Sequence, residues 1–197
     1  MNVFSFFSSK KIFNAIYRVV EIIVCIFWVI LTICLANSCV AKYYLYPLKN
    51  KQTVCEFADI YGLERSLIFA MIKVESGFDE DAESRVGAVG YMQITPDTAN
   101  YIADMLGVVK YDMKDGRTNI NFGCFYVKYL ISKFKNIDTA IVAYNAGEGN
   151  VIIWLNDSEY SIDGKSLNNI PYEESRQYLE KVKNTQEKYK KLYGDKL

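Results

Sequence analysis

The run Leu67-Ile68-Phe69-Ala70-Met71-Ile72 restricts this chain more than any other stretch. Every residue in it is apolar or alanine, and it continues through Lys73 and Val74 to Glu75-Ser76-Gly77. A surface helix carries one apolar stripe, whereas a helix apolar on every side has to be buried on every side. Gly77 suits the left-handed residue that ends a helix, so the pattern predicts a buried helix with Glu75 at its carboxyl end. Apolar surroundings and the negative end of the helix dipole both disfavour an ionised carboxyl there. A carboxyl with a raised pKa is what a general acid needs near neutral pH. The chain has no histidine, so acid–base work falls to a carboxylate. The competing reading is a solvated side chain at a frayed helix end, and the local pattern alone does not separate the two.

Composition removes several function classes. Lys+Arg and Asp+Glu balance at 23 each, which implies no basic face for nucleic acid. No histidine, paired CxxC, HExxH or Gly-rich phosphate loop is present, so neither a metal nor a cofactor is expected. Sixteen tyrosines and eleven phenylalanines are many for 197 residues and suit a core or a cleft that stacks on rings. Of five cysteines, Cys25, Cys34 and Cys39 lie in or beside the N-terminal apolar segment. Cys55 and Cys124 remain for the folded part; one disulfide fits their number, but sequence supplies no distance.

The length suits one domain and an appendage. Residues 1–18 are mixed and read as an N-terminal tail. Residues 19–41 are nearly all apolar, long enough as a helix to cross a hydrocarbon core of about 30 Å. A cleaved signal peptide has a shorter apolar core, roughly 7–15 residues, so a retained anchor or uncleaved signal is favoured. Basic residues flank the segment on both sides and leave orientation open. Residues 42–52 read as a linker, and 53–197 as the folded domain. Within it the spacing predicts helices over 53–60, over the central run, from Pro96 to Leu106, over 117–134, over 137–145 and over 172–192. Thr95-Pro96-Asp97 is a capping hydroxyl, a first-turn proline and an acid, the signature of a helix start. Residues 79–89 and 156–170 read as loops, 151–155 as a short apolar piece, and no strand pattern is present. The fold class is all-α.

Four motifs now resemble one family. Glu75-Ser76-Gly77-Phe78 resembles the first motif of the soluble-lytic-transglycosylase-like domain of the lysozyme-like superfamily. Ser84 and Gly87-Ala88-Val89-Gly90-Tyr91-Met92-Gln93 resemble its second motif, and Pro96-Asp97-Thr98-Ala99 continues it. Ala143-Tyr144-Asn145-Ala146-Gly147 resembles the third, and the stretch from Ile170 to Tyr178 the C-terminal signature. Four motifs in order over about residues 53–182 are specific where one alone would be weak. Three positions depart from the pattern: Tyr91 stands for Leu, Thr95 for an apolar residue that faces the cleft in relatives, and Ser175 for Thr.

The resemblance implies a lysozyme-like helical domain that cleaves the β-1,4 bond between N-acetylmuramic acid and N-acetylglucosamine in peptidoglycan. Glu75 would protonate the glycosidic oxygen, then act as base toward the muramic 6-hydroxyl and close a 1,6-anhydro ring. One carboxylate suffices because the nucleophile is the substrate's own hydroxyl; the usual glycosidase pair is not required. By the same resemblance Tyr144 would place its hydroxyl near Glu75. Gln93 and Asn145 would hydrogen-bond the cleft or the sugar amides, Ser84 and Glu174 would contact saccharide, and Tyr178 would line the cleft or pack under it. Implied partners are peptidoglycan glycan strands and, through the N-terminal helix, a membrane, with the catalytic domain facing the cell wall and the tail in the cytoplasm. Local wall opening for a secretion, conjugation or sporulation machine is one variant. The competing readings are a muramidase that uses water and a silent wall-binding scaffold.

Overall fold

The computed structural model describes residues 3–194 and residue 197, in two compact units, Met1–Pro47 and Leu48–Leu197. The first unit is one long helix, α1 (Val3–Val40), followed by a short π-helical turn, Ala41–Leu45. Helix α1 already runs through residues 3–18, which the sequence set apart as a tail. Its candidate membrane span is Ile16–Leu35, shifted toward the N-terminus from the expected 19–41. At 1.5 Å per residue those 20 residues match the thickness of a hydrocarbon layer.

The second unit is built of helices joined by turns and loops. Its helices are α2 (Lys51–Tyr61), α3 (Arg65–Glu75), α4 (Pro96–Leu106), α5 (Gly116–Phe134), α6 (Ile137–Ala146), α7 (Glu148–Leu155) and α8 (Glu173–Tyr193). Among the described residues the only β features are two isolated bridges, Glu83 with Val89 and Val89 with Ile94. The apolar piece expected at 151–155 is the later half of α7, and α2 begins inside the expected linker.

Helix α3 is the core, as its uniform sequence requires. Leu67 through Ile72 are all buried. The helix packs mainly on α8, where Phe69 meets Tyr189 at a ring distance of 5.5 Å. Its N-terminus is tied to the same helix, since Gln186 Nε2 and Lys190 Nζ reach Glu64 Oε2 at 2.9 and 2.7 Å. Helix α5 packs on α2, α4 and α6, and α6 on α7 and α8. Asp115, Asn136 and Thr95 cap α5, α6 and α4 by accepting the backbone N–H three residues on. Such caps satisfy N–H groups that the first helical turn leaves without partners. Cys55 and Cys124 are both free thiols, and Cys124 is buried, so no disulfide joins them.

The family departure at Tyr91 is accommodated by a glycine. Tyr91 is buried, and its hydroxyl donates to Glu80 Oε2 at 2.8 Å. Gly116, the first residue of α5, leaves the space for the ring, since a Cβ there would lie 2.7 Å from Tyr91 Cε2. Gly116→Ala is therefore expected to cost about 1–3 kcal/mol by overpacking. The cost should largely vanish in a Tyr91→Leu background. Urea unfolding of the single and double variants reads this coupling, and equal costs in both backgrounds would refute it.

Candidate active site

Glu75 is the last residue of α3 and is half-buried. Burial pushes its carboxyl from an ordinary value of 4.5 up to about 7, against the opposing pull of a hydrogen bond from Tyr178. That bond is short: Tyr178 Oη donates to Glu75 Oε1 at 2.5 Å. Tyr178 comes from the second turn of α8, and its ring is buried. The helix on which α3 packs thus also delivers the hydroxyl that orients Glu75. At neutral pH this carboxyl is poised to give up a proton and to take one back.

The chain reverses directly after Glu75. Gly77 and Phe78 both have positive φ, at 63° and 67°, and the Phe78 ring returns to the core beside Phe69. Ser76 Oγ donates to the carbonyl of Tyr91 at 2.9 Å and accepts from the Phe78 N–H at 3.2 Å. The first motif is thereby tied to the second.

The second motif is a loop closed by its own backbone. Ser84 N–H donates to Ala88 O at 2.9 Å, and Ser84 Oγ accepts from Ala88 N–H at 3.0 Å. Gln93 has φ 48°, and its Nε2 donates to Ala82 O and Gly90 O at 3.1 and 3.0 Å. From below, fully buried Asn119 of α5 accepts from Met92 N–H at 2.8 Å and donates to Val89 O at 2.9 Å. Gly90 permits that approach, because a Cβ there would sit 2.5 Å from Asn119 Nδ2. From the side, Tyr144 Oη donates to Met92 O at 2.7 Å.

These contacts give each residue named by resemblance a place in the structure. The tyrosine hydroxyl on Glu75 belongs to Tyr178; that of Tyr144 holds Met92, although Tyr144 lies close enough for Glu75 to raise its pKa further after burial. Asn145 accepts from Ser175 Oγ at 2.7 Å, which gives the Thr-to-Ser departure a direct contact in the third motif. Ser175 and Tyr178 stand one helical turn apart, so the start of α8 fastens both Asn145 and Glu75. Ser84 and Gln93 build the loop around residues 82–94, and Glu174 is exposed on the first turn of α8. Thr95 serves as the cap of α4, its hydroxyl also donating to that of Thr98 at 2.9 Å. Of the acids following Glu75, Glu80 accepts from Tyr91 and Asp79 from the Asp81 N–H, and all of Asp79, Glu80, Asp81 and Glu83 are exposed. Sequence reasoning missed Asn119; the available signal was a polar residue beside the apolar face of α5 at Ile120, Cys124 and Val127. No cluster of His, Cys, Asp and Glu with metal-binding geometry occurs among the described residues.

Comparison with known proteins accords with this geometry. The transglycosylase SLT domain matches residues 52–167. The chain belongs to the transglycosylase SLT domain family. It is 32% identical over 157 residues to the soluble lytic murein transglycosylase of Escherichia coli strain K12, covering 77% of this chain and 24% of that protein. It is 30% identical over 177 residues to membrane-bound lytic murein transglycosylase C of Actinobacillus pleuropneumoniae, covering 76% of this chain and 46% of that one. Among solved structures, an inactive Glu-to-Gln mutant of the Pseudomonas aeruginosa lytic transglycosylase Slt superposes with a TM-score of 0.66 at 32% identity, over 77% of this chain and 26% of that chain. The chain thus spans about a quarter of the length of the soluble relatives. Tyr178 lies beyond the segment that the SLT domain match covers.

The raised pKa of Glu75 has a thermodynamic consequence. The folded carboxyl holds its proton more tightly than the unfolded one, so stability falls as pH rises from 4.5 to about 7 and stays reduced above. Glu75→Gln should therefore be more stable than the wild type by about 2–3 kcal/mol near pH 8. The gap should close toward pH 4 in urea titrations; a gap independent of pH would refute the shift. Tyr178→Phe removes the bond that favours the carboxylate and should move the Glu75 titration, followed by NMR, to higher pH. An unchanged or lower midpoint would show that the bond does not tune the acid.

Proposed function

We propose that this protein is a peptidoglycan lytic transglycosylase in which Glu75 is both general acid and general base. The observation that carries the proposal is the half-buried Glu75 carboxyl with its pKa near 7, held by Tyr178. The family membership and the names of the relatives support the same reading. In the forward step the protonated Glu75 gives its proton to the oxygen between N-acetylmuramic acid and N-acetylglucosamine, and the bond to the muramic C1 breaks. The resulting carboxylate takes the proton of the muramic 6-hydroxyl as O6 bonds to C1, which closes the 1,6-anhydro ring and restores the acid. No water is consumed, so the reaction needs no second carboxylate.

Around this acid, Ser84, Gln93, Tyr144, Asn145, Glu174 and Tyr178 form the proposed saccharide-binding set. Their modes differ. Tyr178 orients the acid, and Tyr144 and Gln93 hold the loop whose backbone borders the sugar. Asn145, fixed by Ser175, keeps its amide N–H group for the substrate. We further propose that Ile16–Leu35 anchors the protein as a single-pass helix, with the residues before it in the cytoplasm and the catalytic unit facing the wall. The length and apolarity of that segment and the membrane-bound relative support this. An anchored catalyst acts on nearby wall, which suits wall remodelling or service to an envelope machine.

Mass spectrometry of fragments released from purified peptidoglycan by the full chain in detergent tests the chemistry. Fragments lighter by one water than hydrolytic products are expected from the wild type. Glu75→Gln should reduce their release by at least about a hundredfold. Reducing-end products would replace the anhydro reaction with hydrolysis, and unchanged release by the variant would remove Glu75 from its role.

A further inference from the structure

The apolar helix at the N-terminus is not uniform around its circumference. Ile16–Leu35 contains two charged residues, Arg18 and Glu21, one threonine, Thr32, and two cysteines, Cys25 and Cys34. Arg18, Glu21, Cys25, Trp28, Thr32 and Leu35 follow one another at intervals of three, four, three, four and three residues. At 3.6 residues per turn these six positions share an arc of about 100°, and Cys34 lies about 150° from its middle. The stripe alternates as the a and d positions of a heptad do, and such a 3.5-residue repeat is the seam along which two helices wind left-handedly. All six side chains are exposed, and none of the span is buried inside the chain.

Lipid suits this face poorly on a lone helix. Glu21 lies five residues inside the span from Ile16, about 7–8 Å along the axis. Arg18 stands closer to the end, where a long side chain reaches the headgroups. The glutamate side chain is too short for that, so its carboxyl needs a partner at its own depth. Arg18 is on the same face, yet among the described residues no hydrogen bond or ion pair joins the two within the helix. Thr32 differs, because its hydroxyl donates to the Val29 carbonyl at 2.8 Å and needs nothing from outside.

A second copy supplies the partner. Chains inserted in one orientation run parallel, so their seams meet face to face about a two-fold axis. The Arg18 of each copy then lies one layer from the Glu21 of the other, and the four charges sum to zero. Acid and base on one seam make the face complementary to itself, which selects a copy of this chain over an unrelated helix.

We propose that α1 forms a parallel homodimer in the membrane along the seam from Arg18 to Leu35, held by two reciprocal Arg18–Glu21 pairs, so that two catalytic units share one anchor point. The inference rests on the reading of Ile16–Leu35 as a membrane anchor and goes beyond it.

Two measurements on the full chain in phosphatidylcholine–phosphatidylglycerol vesicles test it. In the first, energy transfer between donor- and acceptor-labelled chains is followed at falling protein-to-lipid ratio. Arg18→Ala and Glu21→Ala should each weaken self-association about 3- to 30-fold. Mixing the two variants should restore association part-way, since one Arg18–Glu21 pair remains across the mixed dimer. Pairing within each helix would leave the mixture no tighter than either variant alone and would overturn the seam, as would a wild-type chain that is monomeric at every ratio. The second measurement uses the seam's own thiol. With Cys39→Ser and Cys55→Ser in place and buried Cys124 retained, oxidation by copper–phenanthroline should join chains through Cys25. Cys25→Ser should abolish the covalent dimer and Cys34→Ser should leave it. The reverse pattern would put the contact on the opposite face and overturn the assignment. Extraction with alkaline carbonate reads the anchor separately. Release of the chain would sink the membrane reading and the dimer with it, whereas a retained monomer would sink the dimer alone.

Discussion

The carboxyl of Glu75 is kept out of water at the end of a helix that is itself buried, and the domain is arranged around that fact. Desolvating a carboxyl disfavours its charged form strongly. The cost is tolerable because Glu75 is the terminal residue of α3, only half-buried, and because Tyr178 supplies one hydrogen bond. One bond leaves the acid near neutrality; several would have returned it to the ordinary carboxylate range. The same helix pair does two jobs. The contact between α3 and α8 forms the core, and it sets the Tyr178 hydroxyl on the acid with the accuracy of a packed interior.

The second motif shows how a loop becomes rigid without secondary structure. Between Ala82 and Ile94 the chain makes two bridges and a set of turns, and side chains from outside bond its backbone at Val89, Tyr91 and Met92. Both backbone groups of Met92 are taken, one by Asn119 of α5 and the other by Tyr144 of α6. Ser76 ties the Tyr91 carbonyl to the residue after Glu75. A loop so fastened holds its shape before a substrate arrives, and the entropy of ordering it falls on folding instead of on binding.

Much of this was legible in the residues. The all-apolar run could only be a buried helix, and Thr95-Pro96-Asp97 could only open one, because capping and proline geometry are local. Helices α4, α5, α6 and α8 lie within a residue or two of their expected ends for the same reason. The second half of the site was less legible. Tyr144 and Tyr178 are both tyrosines in family-like motifs, and nothing in one dimension tells which hydroxyl reaches the acid. Asn119 carries no motif, and its importance appears only when α5 is brought under the loop.

The sequence by itself therefore determined an all-helical domain, an acid at the end of a buried helix, and an N-terminal apolar segment of membrane-spanning length. These depend on periodicity, capping and composition, which act over a few residues. Only the tertiary structure decided that Tyr178 and not Tyr144 holds Glu75, that Asn119 pins the loop, that Gly116 makes room for Tyr91, and that Cys55 and Cys124 stay apart. Each of these joins residues distant along the chain, and their meeting is fixed by how α3, α5 and α8 pack.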